Sequence, residues 1–207
     1  GPLNSSIVGR AREKGLVEIN AVNLRDFTHD RRQTVDDVPY GGGPGMLMKA
    51  DVLSEAVLSL RKPDSLVILT GPRGEVFSQK AAHDLAGKSH LIILCGHYEG
   101  VDERVRQTLV DREYSIGDYI LTSGNLPAMV MTDAVVRLLP GALGDDVSGE
   151  DESFEQGLLE YPQYTRPPEF NGLKVPDVLL SGDHEKIAKW RKAESLRITL
   201  AERPDLI

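Results

Sequence analysis

Apolar and polar positions follow one another in an order that predicts a helix and then strands alternating with helices. Residues 5–14 carry a weak helical pattern that Gly15 ends, and residues 16–24 alternate apolar and polar side chains as a strand would. Val52, Leu53, Ala56, Val57 and Leu60 fall on one side of a helix over 51–60. Residues 65–70 read as a strand ending at Gly71-Pro72-Arg73-Gly74, and Ser78 can cap a helix reaching Ala86. Residues 90–95 form a buried type of strand that stops at Gly96. Residues 101–110 follow as a helix with Asp102 and Glu103 at its positive end. The stretch 115–127 starts apolar, breaks into a polar turn with Gly124, and lets Pro127 open an apolar helix over 128–139. Asp183 can cap a last helix over 184–201. This alternation predicts an α/β fold with a mostly parallel sheet.

Three strand-to-glycine-turn units therefore succeed one another, at Gly71, at Gly96 and within 115–127. Bare backbone after strands is how a chain walls a small-ligand site, so all three are expected to line one pocket. Gly41-Gly-Gly-Pro-Gly-Met46 is no P-loop, because no Gly-Lys-Ser/Thr follows. It is no dinucleotide fingerprint either, since Met46 stands where the third glycine belongs. A flexible turn remains as good an account of it.

Composition adds bounds. The 207 residues suffice for one sizeable domain, or one with a small appendage. No apolar run approaches the roughly 20 residues needed to cross a membrane, and no secretory leader is visible. A single cysteine, Cys95, excludes an intrachain disulfide and fits a reducing cytosol, so a cytoplasmic protein is expected. The formal net charge of −8 argues against nucleic acid, but Asp145, Asp146, Glu150, Asp151, Glu152, Glu155 and Glu160 supply nearly all of it. The remainder is close to neutral and free to carry a local basic face. This acidic segment, 144–160, divides a larger domain over 1–143 from a small one over 161–207, and reads as a linker or loop.

Several groups invite chemistry. Cys95-Gly96-His97 pairs a thiol with a base, yet a cysteine closing an apolar strand is usually only buried. No histidine shows zinc-ligand spacing with a cysteine. Glu99, Asp102 and Glu103 either support a helix dipole or contact a cationic ligand group, and Asp118 and Tyr119 admit the same two readings. Lys186, Lys189 and Lys192 recur every three residues beside Trp190, Arg191 and Arg197. That is a solvated helix face or an RNA-contacting one. Asp151 and Glu152 are solvated acids or a catalytic carboxylate on a loop.

Together the motifs resemble one family, end to end and in order. Val35-Asp-Asp-Val-Pro-Tyr-Gly-Gly-Gly-Pro-Gly-Met46, Cys95-Gly-His-Tyr-Glu-Gly-Val-Asp-Glu-Arg104, Ser115-Ile-Gly-Asp-Tyr-Ile-Leu121, Tyr164-Thr-Arg-Pro167 and Val178-Leu-Leu-Ser-Gly-Asp-His184 look like its signatures. The family is the bacterial tRNA (guanine-N1)-methyltransferase, TrmD-type, of the knotted SPOUT class. The resemblance implies a parallel-sheet domain with a trefoil knot, a small helical C-terminal domain that grips tRNA, and a homodimer with active sites at its interface. It implies S-adenosylmethionine as methyl donor and N1-methylated guanosine at tRNA position 37, beside the anticodon, as product. Mg²⁺ is compatible with it, though no residue pattern calls for the ion.

Carried over residue by residue, the cofactor loops are Thr70, Gly71 and Pro72; Gly96, His97, Tyr98 and Glu99; Ile116, Gly117, Asp118, Tyr119, Ile120 and Leu121; and Ser123, Gly124 and Pro127. Arg137 matches the family's arginine that stabilises the guanine oxygen. The family's general base is an aspartate directly before Ser-Phe. Here Glu152 holds that position, before Ser153-Phe154, with Asp151 one residue earlier, so either carboxylate is a candidate. His97 stands where the family commonly has arginine. The family's opening strand, ending Phe-Pro-Glu, does not precede Gly1, and its loss would remove a strand from the sheet.

Overall fold

The first helix, α1 (Ser6–Glu13), stops at a turn in which Gly15 takes φ +72°, a conformation glycine adopts without strain. Its buried Val8 and Ala11 pack with Val136 and Ala142, and Val17 and Ile19 lie against the same cluster. Residues 16–24, expected as a strand, instead run as an extended segment into a short 3-10 turn, Leu24–Phe27. Their alternation is satisfied by packing on α1. Among the described residues no ladder forms there, and a strand is only as stable as its partner.

The computed structural model describes residues 1–144 and 152–207, and the chain divides into two units, Gly1–Gly144 and Asp145–Ile207. In the first, β1 (Asp36–Asp37) pairs antiparallel with β2 (Leu47–Met48) and so pinches off the glycine loop between them. Then come α2 (Ala50–Leu60), β3 (Ser65–Val76), α3 (Gln79–Ala86), β4 (His90–Cys95), α4 (Glu103–Leu109), β5 (Arg112–Ser115) and α5 (Asn125–Val136). Ser78 accepts a hydrogen bond from the Ala81 amide, and Asp102 one from the Arg104 amide, as N-caps should.

The sheet runs β4-β3-β5, all parallel. Alternation along β3 sends Val67 and Leu69 to one face and Ile68 to the other. On the first face they meet Leu53 and Val57 of α2, Ile92 and Leu94 of β4, and Val105 of α4. On the second, Ile68 and Tyr114 meet Ala82 and Leu85 of α3 and Met131 and Val135 of α5. Each such fully buried aliphatic side chain contributes about 1.5–3 kcal/mol, so the two faces hold the strand ends rigidly in register. The result is a mixed α/β unit with helices on both sides of a parallel sheet.

Strand β3 is longer than its sequence pattern predicts. It does not end at Gly71: residues 71–74 bulge out, Thr70 and Glu75 both face Tyr114, and pairing resumes to Val76 opposite Ser115.

The second unit contains a hairpin of β6 (Glu169–Phe170) and β7 (Leu173–Lys174), then α6 (Asp177–Leu180) and α7 (His184–Glu202). Asp183 caps α7 by accepting from the Lys186 amide. Of the acidic segment, residues 152–160 are described and fold onto α7. The Leu159 amide donates to the fully buried Thr199 hydroxyl at 2.9 Å, and Ser195 donates to the Leu159 carbonyl.

Candidate functional site

Parallel pairing aligns Thr70 with both Cys95 and Tyr114, so β3, β4 and β5 release their chains at one edge of the sheet. Carboxyl ends of parallel strands are where open α/β sheets take ligands. Thr70 is buried there, its hydroxyl within donating distance of the Leu94 carbonyl (3.2 Å) and the Gly124 carbonyl (3.3 Å). The Gly124 amide donates to Gly96 O at 2.7 Å, and Ser123 bridges His97 in antiparallel fashion. Asn125 Nδ2 lies 3.4 Å from His97 Nε2. The loops at 70–72, 96–99 and 123–125 therefore interlock.

The requirement at Gly124 is steric. A Cβ would fall 2.1 Å from Thr70 Oγ1, 2.8 Å from Gly96 N and 2.9 Å from Cys95 Cα. Only a residue without a side chain lets the chain cross the strand ends so closely.

The 115–121 loop is shaped locally. The buried Ser115 hydroxyl donates to Gly117 O at 3.1 Å and lies 3.2 Å from Gly117 N. Gly117 takes φ +144°, and Tyr119 folds back to donate its hydroxyl to Ile116 O at 3.1 Å. The turn thereby leaves Ile120 85% exposed, with Tyr119 and Leu121 also open to solvent.

The glycine loop at 41–46, for which the sequence left a flexible turn open, joins this edge. The Glu99 amide donates to Met46 O at 3.0 Å, the Met48 amide to Gly100 O at 3.0 Å, and the Asp102 amide to Met48 O at 3.2 Å. Gly45, at φ +87°, rests directly on the Glu99 side chain. Four glycines here hold left-handed φ, which explains their run better than looseness does.

Charge at the edge is ordered. Asp102 accepts from Arg104 Nε and Nη2 at 2.9 and 2.8 Å, and the Arg104 side chain and amide hold its carboxyl below the usual range. Burial pushes the Cys95 thiol up, which keeps it protonated and disfavours a thiolate nucleophile beside His97. Among the described residues no group of three or more His, Cys, Asp or Glu side chains gathers as a metal site. A cleft of about 270 Å³ lined by Phe27, His29, Asp30, Lys49, Asp51, Val52 and Glu55 shares no residue with the loops.

Two expected site residues belong to other elements. Arg137 is the C-cap of α5, whereas Gly124 is its N-cap. Twelve helical residues place the two main-chain positions about 20 Å apart along α5. Glu152 belongs to the other unit, where it opens a turn closed by the Glu155 amide on Glu152 O. Asp151 lies outside the described residues. In α7, Lys186 pairs with Asp183, Lys189 with Glu185, and Arg197 with Glu194, so part of the basic face is neutralised within the helix. Trp190 faces Tyr164 at 6.3 Å between ring centroids, and Arg191 lies over Tyr161 at 4.8 Å. The sequence did not reveal β5, the bulge at 71–74, or Arg73, Arg106 and Glu113 beneath it. The flanking Gly71 and Gly74 were the only trace.

This arrangement has relatives. The family model described as tRNA (Guanine-1)-methyltransferase TrmD matches residues 1–207. A tRNA (guanine-N(1)-)-methyltransferase of Dictyoglomus turgidum is 59% identical over 207 residues, 100% of this chain and 84% of that protein. One of Carboxydothermus hydrogenoformans is 58% identical over 207 residues, covering 100% and 82%. One of Geobacillus kaustophilus is 54% identical over 209 residues, covering 100% and 86%. With every loop of the strand-end edge inside that match, the chain belongs to the tRNA (guanine-1)-methyltransferase family TrmD.

Proposed function

We propose that the edge formed by the four loops is the S-adenosylmethionine site of a homodimeric enzyme that methylates N1 of guanosine 37, beside the anticodon. The chain is a tRNA (guanine-N1)-methyltransferase, and a family with that activity implies S-adenosylmethionine as donor. The observation that carries the finer proposal is the closure of Gly124 on Thr70 and Gly96. It brings the main chain of 70–72 and 96–99 together at the strand ends, and the 116–121 loop that follows β5 exposes Tyr119, Ile120 and Leu121. A purine with a short aliphatic arm fits that donor set, with backbone groups for the base edge and apolar side chains for its faces.

When bound, S-adenosylmethionine supplies an electrophilic methyl group on sulfonium. What the chain must add is a reactive guanine. N1 carries a proton at neutral pH, and Glu152 (or Asp151) takes it, freeing the nitrogen lone pair; a positioned carboxylate contributes ~10²–10⁴-fold. Negative charge then grows on the guanine oxygen, and the Arg137 guanidinium stabilises it. The target base leaves its stack to enter. The small second unit grips tRNA through the exposed lysines of α7 and the pair that Trp190 makes with Tyr164.

Two features support the assembly. The chain leaving β5 returns across the ends of β3 and β4, as a trefoil knot requires. The outward side of α5 exposes Leu126 and Val130, one turn apart, an apolar face that suits a second copy.

Methyl transfer to unmodified tRNA, with the modified nucleotide mapped, tests the proposal. N1-methylguanosine at position 37 is the expected product. A methyl group on another atom or nucleotide would leave the enzyme class intact and remove the assigned target.

A further inference from the structure

One set of charges beneath the edge has no role in the chemistry above. The bulge 71–74 is seated on Glu113 of β5: a Cβ on Gly71 would lie 2.4 Å from Glu113 Oε1, and one on Gly74 2.3 Å from the Glu113 carbonyl carbon. The Glu113 side chain is only 9% exposed, so its charge requires a partner. Its other oxygen, Oε2, accepts from Arg106 Nε at 2.7 Å. Arg106 Nη1 donates onward to Glu103 Oε1 at 3.1 Å. Glu103 Oε2 accepts from Arg73 Nη2 at 2.7 Å. The relay Glu113–Arg106–Glu103–Arg73 thus starts under the bulge and ends on it.

Its members also sit where the other loops begin or end. Glu103 is the first residue of α4, just after the 96–99 loop, and Glu113 lies two residues before Ser115. As a staple for the fold the relay would be weak, because Arg73 and Glu103 are about half exposed and such pairs contribute little. As a template it is strong. The buried carboxylate, held from its other side by Arg106, occupies the space a Cβ on Gly71 would take, so it and the bulge constrain each other.

We infer that Glu113, Arg106, Glu103 and Arg73 form an ionic clasp that positions the Thr70-Gly71-Pro72 segment for S-adenosylmethionine, an assignment that rests on reading that edge as the cofactor site. These are positioning residues, since none is placed against a reacting atom.

Titration calorimetry with S-adenosylhomocysteine on the full chain tests this, beside tRNA binding and melting of the ligand-free protein. Arg106→Gln and Glu113→Gln should each weaken S-adenosylhomocysteine about tenfold. The KM for the methyl donor should rise with kcat at saturation and tRNA affinity unchanged. Arg106→Lys should rescue little, because a point charge does not bridge two carboxylates as a guanidinium fork does. Gly71→Ala should weaken binding too, and Gly71→Ala with Glu113→Asp should recover part of it by withdrawing the clashing oxygen. Should Glu113→Gln fail to fold, Arg73→Gln at the exposed end carries the same expectation. A lowered melting temperature with unchanged S-adenosylhomocysteine affinity would make the clasp merely structural and overturn the inference, as would an equal loss of tRNA affinity. If the unaltered chain itself binds no S-adenosylhomocysteine, the cofactor assignment falls first and the clasp's role with it.

Discussion

Gly124 and Glu152 show two ways in which one residue matters. At φ −72° Gly124 has a backbone angle that any residue adopts, but there is no room for a Cβ against the Gly96 amide and Cys95 Cα. Those neighbours are backbone and do not swing aside. Gly124→Ala should cost about 1–3 kcal/mol of stability, as overpacking does, and lose S-adenosylhomocysteine affinity. Melting and calorimetry check both, and an alanine variant that keeps wild-type values would mean the loops are not interlocked. Glu152 is judged by chemistry. Glu152→Gln should lower the single-turnover rate by ~10²-fold or more while S-adenosylhomocysteine still binds. Asp151→Asn should stay near the wild-type rate, and the reverse pair of results would move the base to Asp151. By pattern the sequence made Gly124 legible as a turn residue, and by resemblance as part of a cofactor loop, but not as a crowded position. Its crowding comes from Thr70 and Gly96, 54 and 28 positions earlier, and such contacts leave no local pattern.

Elements were legible where their cause is local. The apolar side of α2, the Ser78 cap of α3 and the Asp183 cap of α7 lie within a few residues of the helices they define, whereas Asp102, read as an acid inside the first turn of α4, is its N-cap. Strands depend on neighbours distant in sequence. Residues 16–24 have the right alternation and no ladder, whereas Arg-Glu-Tyr-Ser of β5 has little pattern and pairs along β3. The capped start of α4 has a measurable pH signature. The Arg104 side chain and amide keep the folded-state pKa of Asp102 below its reference value of 3.8. A carboxylate lowered in this way adds stability above that reference, and the contribution fades as pH falls through the folded value. Asp102→Ala should therefore melt below the wild type at pH 6, and the gap should close below about pH 4. A gap that stays constant down to pH 2 would show that the cap does not act through the ionised carboxylate.

At the scale of the whole molecule, the position of Arg137 decides how a site is composed. The far end of α5 packs against α1, with Val136 meeting Val8 and Ala11, while its near end begins at Gly124, which closes on Thr70 and Gly96. On the proposed dimer, a second copy would bring its own α5, and with it Arg137, across the apolar face at Leu126 and Val130 to those loops. A two-fold dimer would then hold two sites, each built from the loops of one copy and Arg137 of the other. Mixed dimers distinguish this from a self-contained site. Pair an Arg137→Ala copy with a Gly124→Val copy, whose loops are blocked, each inactive as its own homodimer. One site then joins intact loops to an intact arginine, and the other carries both defects, so about half the wild-type methyl transfer should return. If loops and Arg137 act within one chain, each site keeps one defect and the mixed dimer stays dead. Purification through two different tags, followed by the transfer assay, reads the outcome directly. A dead mixed dimer would assign the loops and Arg137 of one chain to the same site, and the shared composition would fall.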